Sequence, residues 1–426
     1  MKRIGQEWNP ENEEFWQAEG KKHANRNLWI TVPSLMCAFC IWTMWSIIAV
    51  NLNHIGFNFT ATQITTLVAT PGLVGATARV FYTFMPGIFG GRNWAIFQTA
   101  FLLVPAIGLS IALQDINTSY QMLLFLSILT GITGGNLSAS TSNVGYFFPK
   151  NKKGIALGFV AGFGNLGVSL MQVSVTLGLL FIPFGTENGG MYLQNIAAAW
   201  VIPIIIVIIA IFFGMDNLPG TRQSIRSQTV ILRKKHNWIM AIIYTCCFGS
   251  FIGFSMAFTL ISQHMFPDSP YVQLAFLGPF ISAAIRWLGG LWSDKYGGGI
   301  VTVYAFSTMI VATIAVIIVL ENNGGFYLFL VMIMILFAAA GIANGSTFQM
   351  IPVIFKGKEE KYAGPVTGFN AAIGAYGGFF IPRIFGWSFQ HFDSGTIAFF
   401  ILLAYYAFSL ALTIYYYVRK NAEVKC

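Results

Sequence analysis

The sequence predicts an all-α polytopic membrane protein of twelve spanning helices in two corresponding halves, and three observations carry that reading. Hydrophobic residues make up 56% of the 426 and charged residues only 9%, against roughly 25% charged in a typical soluble protein. The apolar residues gather into twelve runs, each long enough to cross a hydrocarbon core roughly 30 Å thick. Finally, 21 of the 24 Lys and Arg residues (24 less Arg79, Arg286 and Arg383) fall on one side of those runs.

The spans are predicted at 28–52, 62–88, 93–113, 120–146, 153–180, 196–214, 237–262, 271–292, 299–319, 325–350, 362–383 and 394–418. They divide the chain into a tail (1–27), a first six-helix bundle (28–214), a connector (215–236), a second six-helix bundle (237–418) and a closing tail (419–426). The opening tail, with its polar ENEEFWQAEGKKHANR, does not resemble a cleavable signal and is compatible with a short interfacial helix. By the positive-inside rule the basic side is cytoplasmic, so both termini are expected there. The net charge of +9 is therefore a topology signal. It excludes nucleic acid as a partner, because the charges sit in short loops with no compact basic module, and the partner surface is the lipid bilayer. Cys37, Cys40, Cys246, Cys247 and Cys426 make no metal-ligand pattern, and the five histidines form no cluster with them. No metal, no cofactor and no nucleophile–base set is expected; the chain does not read as an enzyme.

Segment 1 (WITVPSLMCAFCIWTMWS) has a weak echo in segment 7 (WIMAIIYTCCFGSFIGFS). An offset of 209 sets Trp29 on Trp238, Phe39 on Phe248 and Leu35 on Tyr244. Tyr244 either turns its hydroxyl toward a cavity or packs as a ring bonded to main chain. Segment 2 carries Arg79 inside an otherwise apolar, small or hydroxylic run, and segment 8 carries Arg286, 207 residues later. An arginine within a span costs roughly 2.5–3.5 kcal/mol on insertion scales, so it needs a partner or an aqueous cavity. The spans contain no Asp or Glu to supply one. Two permanent cations without a counter-ion point to an anionic ligand held between the halves; the competing reading is that each arginine bonds main-chain carbonyls or snorkels to an interface.

Segment 8 ends in GGLWSDKYGG, where Gly290, Asp294, Lys295 and Gly297 look suited to a short turn, with Asp294 placed to pair with Lys295 or a nearby helix end. Segments 4 and 10 are rich in Asn, Ser and Thr, and an offset of 211 sets Leu137 opposite Phe348. Segments 5 and 11 hold the glycine blocks GFVAGFGNLG (158–167) and GFNAAIGAYGG (368–378). An offset of 210 aligns Gly158, Gly164 and Gly167 with Gly368, Gly374 and Gly377; Gly162 and Gly378 complete the pattern. Such residues let membrane helices approach closely and slide. They are not a phosphate loop, because no strand–turn–helix context accompanies them. Asn165 brings an amide to the first block, as a ligand contact or as an interhelical bond.

On Arg79, Arg286 and the two glycine blocks, the chain resembles the nitrate/nitrite porter family of the major facilitator superfamily, in particular the bacterial NarK-like exchangers, over essentially all twelve spans. The resemblance implies the twelve-helix major facilitator fold, a bacterial inner-membrane location, a functional monomer, and nitrate and nitrite as substrates. It also implies that Arg79 and Arg286 grip a planar anion from two sides, that Asn165 and Tyr244 add polar contacts, and that Phe348 is one ring of an aromatic clamp. The position of the second ring holds Leu137, a departure from the family; Phe39 and Phe248 are further candidate cavity rings. Two close cations would make return of an unloaded carrier unfavourable, which favours exchange of nitrate for nitrite. A proton-coupled symporter is the near alternative, set back by the lack of Asp, Glu or His inside the spans. An anion channel or a receptor is a more distant one.

Overall fold

In the computed structural model, which describes residues 8–218, 229–357 and 362–426, the regular elements are helices, and among the described residues the one β pairing is an isolated bridge between Asn188 and Met191. Lys2, Arg3, Arg222, Arg226, Lys358 and Lys361 of the basic side, and the middle of the 215–236 connector, lie outside the described residues. Among the described residues, eleven helices are long and apolar enough to cross a membrane. They are α1 (Glu13–Asn51), α2 (Ala61–Tyr82), α3 (Gly91–Ala112), α4 (Tyr120–Phe147), α5 (Ile155–Thr176), α6 (Asn195–Gly214), α7 (Lys235–Met265), α8 (Tyr271–Tyr296), α9 (Gly298–Glu321), α10 (Phe326–Ile354) and, after the next crossing, α12 (Thr396–Val418).

The remaining predicted span, 362–383, is α11, made of two helices end to end, Ala363–Gly374 and Gly377–Phe392. At the junction the Ala375 N–H bonds to Ala372 O (3.2 Å) and the Tyr376 N–H to Ile373 O (3.1 Å). The helix tightens by one residue there, which withdraws from the Ala371 carbonyl its usual donor four residues on.

α1 corrects the expected boundary. It starts at Glu13, where Asn12 Oδ1 accepts from the Phe15 N–H at 3.2 Å, and runs unbroken into the span expected to open at residue 28. Trp16, Gly20, Ala24, Asn27 and Thr31 recur at three- and four-residue intervals and are all buried. One face of the polar tail is thus a packing stripe, with Trp16 5.7 Å from the ring of Phe148.

The repeat is visible in matched contacts. Trp29 of α1 meets Phe159 of α5 edge to face at 5.0 Å. Trp238 of α7 meets Phe369 of α11 in the same way at 5.3 Å. The α2–α3 and α8–α9 turns each pivot on a glycine in the left-handed half of φ space, Gly90 (φ 88°) and Gly297 (φ 92°). Gly290, Asp294 and Lys295 lie inside α8, so Gly297 alone makes the turn. Asp294 is exposed, and among the described residues it has neither an ion pair nor a side-chain hydrogen bond. Consecutive helical residues point about 100° apart, so Asp294 and Lys295 diverge.

The end carrying both termini, called the basic end below, is stapled differently in the two halves. In the first, Asp216 (9% exposed) accepts from Arg26 Nη2 (2.6 Å) and Asn27 Nδ2 (2.9 Å) and meets His23 Nδ1 (3.0 Å). Burial raises its carboxyl pKa, but the bonds from His23, Arg26 and Asn27 together outweigh burial and hold it below the usual Asp range. In the second, the half-exposed Glu423 pairs with Lys235 at 2.7 Å and His236 at 3.5 Å.

Candidate functional site

Arg79 sits near the basic end of α2 and is fully buried. Two glycines and a tryptophan build its seat. Trp42 of α1 fills a slot between Gly75 of α2 and Gly134 of α4, where a Cβ on either glycine would strike the indole. Trp42 Nε1 donates to Pro71 O at 2.7 Å, and the Arg79 guanidinium lies 4.8 Å from the Trp42 ring. Pro71 also leaves the Leu67 carbonyl without its helical donor, and Ser127 Oγ of α4 supplies one at 2.9 Å. α1, α2 and α4 are thereby fixed around the arginine.

Arg79 Nε donates to Gly134 O at 3.0 Å and Nη1 to Ala371 O at 2.7 Å. The second acceptor is the carbonyl released by the tightened junction in α11, so this bond joins the two halves. The carbonyl reading of the arginine therefore holds for two of its three nitrogens. The third, Nη2, is buried and has no acceptor on the protein. A buried, charged donor left unpaired costs more than the roughly 1–3 kcal/mol of a neutral one.

Arg286 of α8 is 8% exposed. Its guanidinium stands 4.8 Å from the Phe348 ring; the Cys247 thiol and the Tyr244 hydroxyl lie within electrostatic reach of it, and the hydroxyl is in reach of Arg79 as well. Tyr244 stacks on Phe248 (5.5 Å, 11°) and meets Phe348 edge to face at 5.0 Å. Phe248 in turn lies 5.2 Å from the Arg79 guanidinium. Arg79, Tyr244, Phe248, Phe348 and Arg286 thus form one continuous cluster across the halves.

Phe39 joins that cluster through Trp42, at 5.6 Å. Asn165 is 2% exposed with Oδ1 unpaired, and Leu137 is buried in the same core. The glycines separate into two groups. Gly164 and Gly167 admit Leu35, Met36 and Phe39 of α1, Gly374 admits Tyr244 and Phe248, and Gly377 lies on the main chain of Gly249. Gly378 meets Gly72 of α2 across the halves. Gly158 and Gly162 face open space, and Gly368 is nearly as free. Among the described residues, a Cβ on Gly158 or Gly162 would meet nothing within 4 Å, and one on Gly368 would meet only Thr83 at 3.9 Å.

That division follows the state of the carrier. Away from the basic end the halves are stitched together, α1 to α7 by Thr259 Oγ1 on Ser46 O and by Gln263 Nε2 on Val50 O (2.9 Å). α2 is joined to α11 by Arg383 Nη1 on Thr66 Oγ1 (2.9 Å), and α5 to α8 by Ser169 Oγ on Phe276 O (2.9 Å) and Thr176 Oγ1 on Gln273 O (2.7 Å). Along α2 these links run inward from Thr62 and end at the Arg79–Ala371 bond. Beyond it, toward the basic end, α5 turns its glycines into a gap.

Residues 34–382 match the sequence profile of the Major Facilitator Superfamily. The chain is 41% identical to the nitrate/nitrite transporter NarU of Escherichia coli (strain K12), with 98% of this chain and 97% of that protein covered. It belongs to the nitrate/nitrite porter family of the major facilitator superfamily. Another relative is the probable nitrate/nitrite antiporter NarK2 of Thermus thermophilus, 36% identical over 99% of this chain and 98% of that one. The inward-open xylose transporter XylE from E. coli shares the fold, with a TM-score of 0.69 at 12% identity, 91% of this chain and 95% of that one being covered.

Sequence reasoning passed over two residues of this nitrate/nitrite porter. Trp42 props the face of Arg79, but a tryptophan in a chain with 11 Trp, 16 Tyr and 40 Phe carries no signal by type. The pairing of Trp42 with Gly75 and Gly134 needs the fold to be seen. Asn370 precedes Ala371, is 1% exposed, and has both amide atoms buried without a partner. As an amide inside the second glycine block, on the helix that holds Arg79, it could have been singled out as Asn165 was.

Proposed function

We propose that the protein exchanges nitrate and nitrite across the membrane by alternating access, the anion being held between Arg79 of one half and Arg286 of the other. The observation that carries this reading is the unpaired Arg79 Nη2. Nitrate and nitrite offer acceptors only, so a site for them must present donors. Arg79 keeps Nε and Nη1 on main-chain carbonyls and has Nη2 to give. Arg286 and the Tyr244 hydroxyl supply donors from the opposite half, and Asn165 Nδ2 is a further donor in the same core. Planar guanidinium forks suit planar oxyanions better than ammonium groups do. Phe248, Phe348 and Leu137 give the site an apolar wall that disfavours strongly hydrated ions. The names of the relatives, nitrate/nitrite transporter and nitrate/nitrite antiporter, support the choice of substrate and of exchange.

The cycle follows from the two-half architecture. Closure away from the basic end and a gap beside α5 correspond to a carrier facing the cytoplasm, with both termini cytoplasmic in a bacterial inner membrane. Exchange avoids carrying two uncompensated guanidiniums through the closed state. One protomer holds a whole site, so the functional unit is a monomer, and no cofactor takes part.

The test is nitrate uptake into liposomes of purified protein, preloaded with nitrite or nitrite-free, with and without an imposed proton gradient. Uptake that needs internal nitrite is expected. Uptake driven by the proton gradient without nitrite would replace exchange with symport, and sustained current without any counter-anion would replace it with a channel.

A further inference from the structure

On the outside of the second half, away from the central cluster, a groove of about 680 Å³ runs between α8, α9 and α10. Its edge is aromatic, with Trp292, Tyr296 and Tyr304, its walls carry Ile300 and Ile335, and its buried floor is Val301, Ala305 and Ala339. Tyr304 is 72% exposed, so in a spanning protein this surface faces acyl chains rather than another helix. From Ile300 to Thr308 the groove descends eight residues of α9, about 12 Å at 1.5 Å per residue, most of one leaflet of a core roughly 30 Å thick. The volume lies in the range of pockets that enclose a small molecule, roughly 300–1,000 Å³.

The mouth distinguishes this groove from ordinary lipid-facing surface. It opens at the basic end beside Lys295, in the last turn of α8, whose ammonium lies 5.0 Å from the Tyr296 ring. Among the described residues no carboxylate lies within ion-pair distance of Lys295. Asp294 points about 100° away around the helix, and Glu423 is engaged by Lys235 and His236. The result is an apolar trough of leaflet depth, an aromatic rim and an unpaired cation at the level of the headgroups.

We propose that this groove binds one anionic glycerophospholipid of the leaflet at the basic end, with an acyl chain along Ile300 and Ala339 and the phosphate on Lys295. This site is separate from the anion site between the halves and does not depend on the transport reading. Tyr296 and Trp292 border the glycerol region, where amphipathic rings are favoured.

The experiment equilibrates purified protein in detergent with phosphatidylglycerol or phosphatidylcholine of identical chains and counts retained lipid by native mass spectrometry. The unmodified protein is expected to retain one phosphatidylglycerol in preference to phosphatidylcholine. Lys295→Gln should lose about fivefold of that preference, the worth of one cation near an anionic headgroup. Thr308→Trp, at an exposed groove position, should lower retention of both lipids by filling the trough. Equal retention of the two lipids by the unmodified protein, or an unchanged preference in Lys295→Gln, overturns the proposal. Undiminished retention in Thr308→Trp does so too, since the lipid then lies elsewhere. Melting curves of each variant without added lipid separate lost binding from lost folding.

Discussion

Arg79 and Arg286 occupy corresponding helices of the two halves, but the protein holds them differently. Arg79 is enclosed, with two main-chain acceptors and two aromatic faces. Arg286 keeps 8% of its surface and rests on one ring, with a tyrosine hydroxyl and a cysteine thiol as its polar neighbours. The staples at the basic end differ in the same sense, Asp216 being buried under three partners and Glu423 half-exposed beside two. Both halves bury an arginine, but the first encloses it under more partners than the second does. This contrast predicts that the first half acts as a fixed jaw and the second as the adjustable one.

Exchanging the arginines is the sharpest way to break this contrast. Arg79→Lys loses the fork that spans Gly134 O and Ala371 O, and two charged hydrogen bonds at roughly 1.5–3 kcal/mol each predict a loss of nitrate/nitrite exchange of at least about a hundredfold. Arg286→Lys keeps its charge and gives up no main-chain hydrogen bond, and should lose only about tenfold. Both are read in liposomes against protein that melts normally. An equal fall in the two variants would abolish the fixed-jaw reading.

Trp42→Leu comes next. It leaves every proposed anion contact in place and removes the face under Arg79, so exchange should fall about tenfold through the cation–π and packing loss. Trp42→Phe should recover most of it, which a merely structural role for the indole bond to Pro71 would not predict.

These variants also mark what could be read from sequence. Arg79 and Arg286 were legible because a charge in an apolar span has so few explanations, and the repeat because its offset recurs at residues of unlike kind. The way Arg79 is held was not legible. It depends on a carbonyl freed when α11 tightens between Gly374 and Gly377, and the glycines there announce close packing without saying which main-chain atom loses its partner. The length of α1 was missed because its buried stripe, Trp16, Gly20, Ala24 and Asn27, is thinly spread among charged residues. Pairing of Asp294 with Lys295 was misread because adjacency in sequence is not adjacency on a helix.

A smaller effect tests the ring pairing between the halves. Leu137→Phe would restore a ring opposite Phe348 and should lower the KM for nitrate about two- to fivefold, the worth of one additional aromatic contact. No change would mean that Leu137 does not face the anion.

The staples give a contrast in stability. Asp216→Asn should lower the melting temperature at neutral pH, since hydrogen bonds to a charged group are worth roughly 1.5–3 kcal/mol, whereas Glu423→Gln should leave it unchanged. Because the folded pKa of Asp216 is depressed, its contribution is complete above the unfolded Asp value and is lost as pH falls through the folded one. The gap in melting temperature between the unmodified protein and Asp216→Asn should therefore close on acidification below about pH 4.

The acceptors that orient Arg79, Gly134 O and Ala371 O, belong to the polypeptide backbone. Point substitutions at 134 or 371 can crowd those oxygens but cannot delete them. The pose of the guanidinium is therefore inherited from the course of two helices, and it is shielded from most of the genetic drift to which side-chain ligands are subject. Selection for a different oxyanion would find its raw material in the opposite half, at Tyr244 and Phe348, where every proposed contact is spelled by a codon.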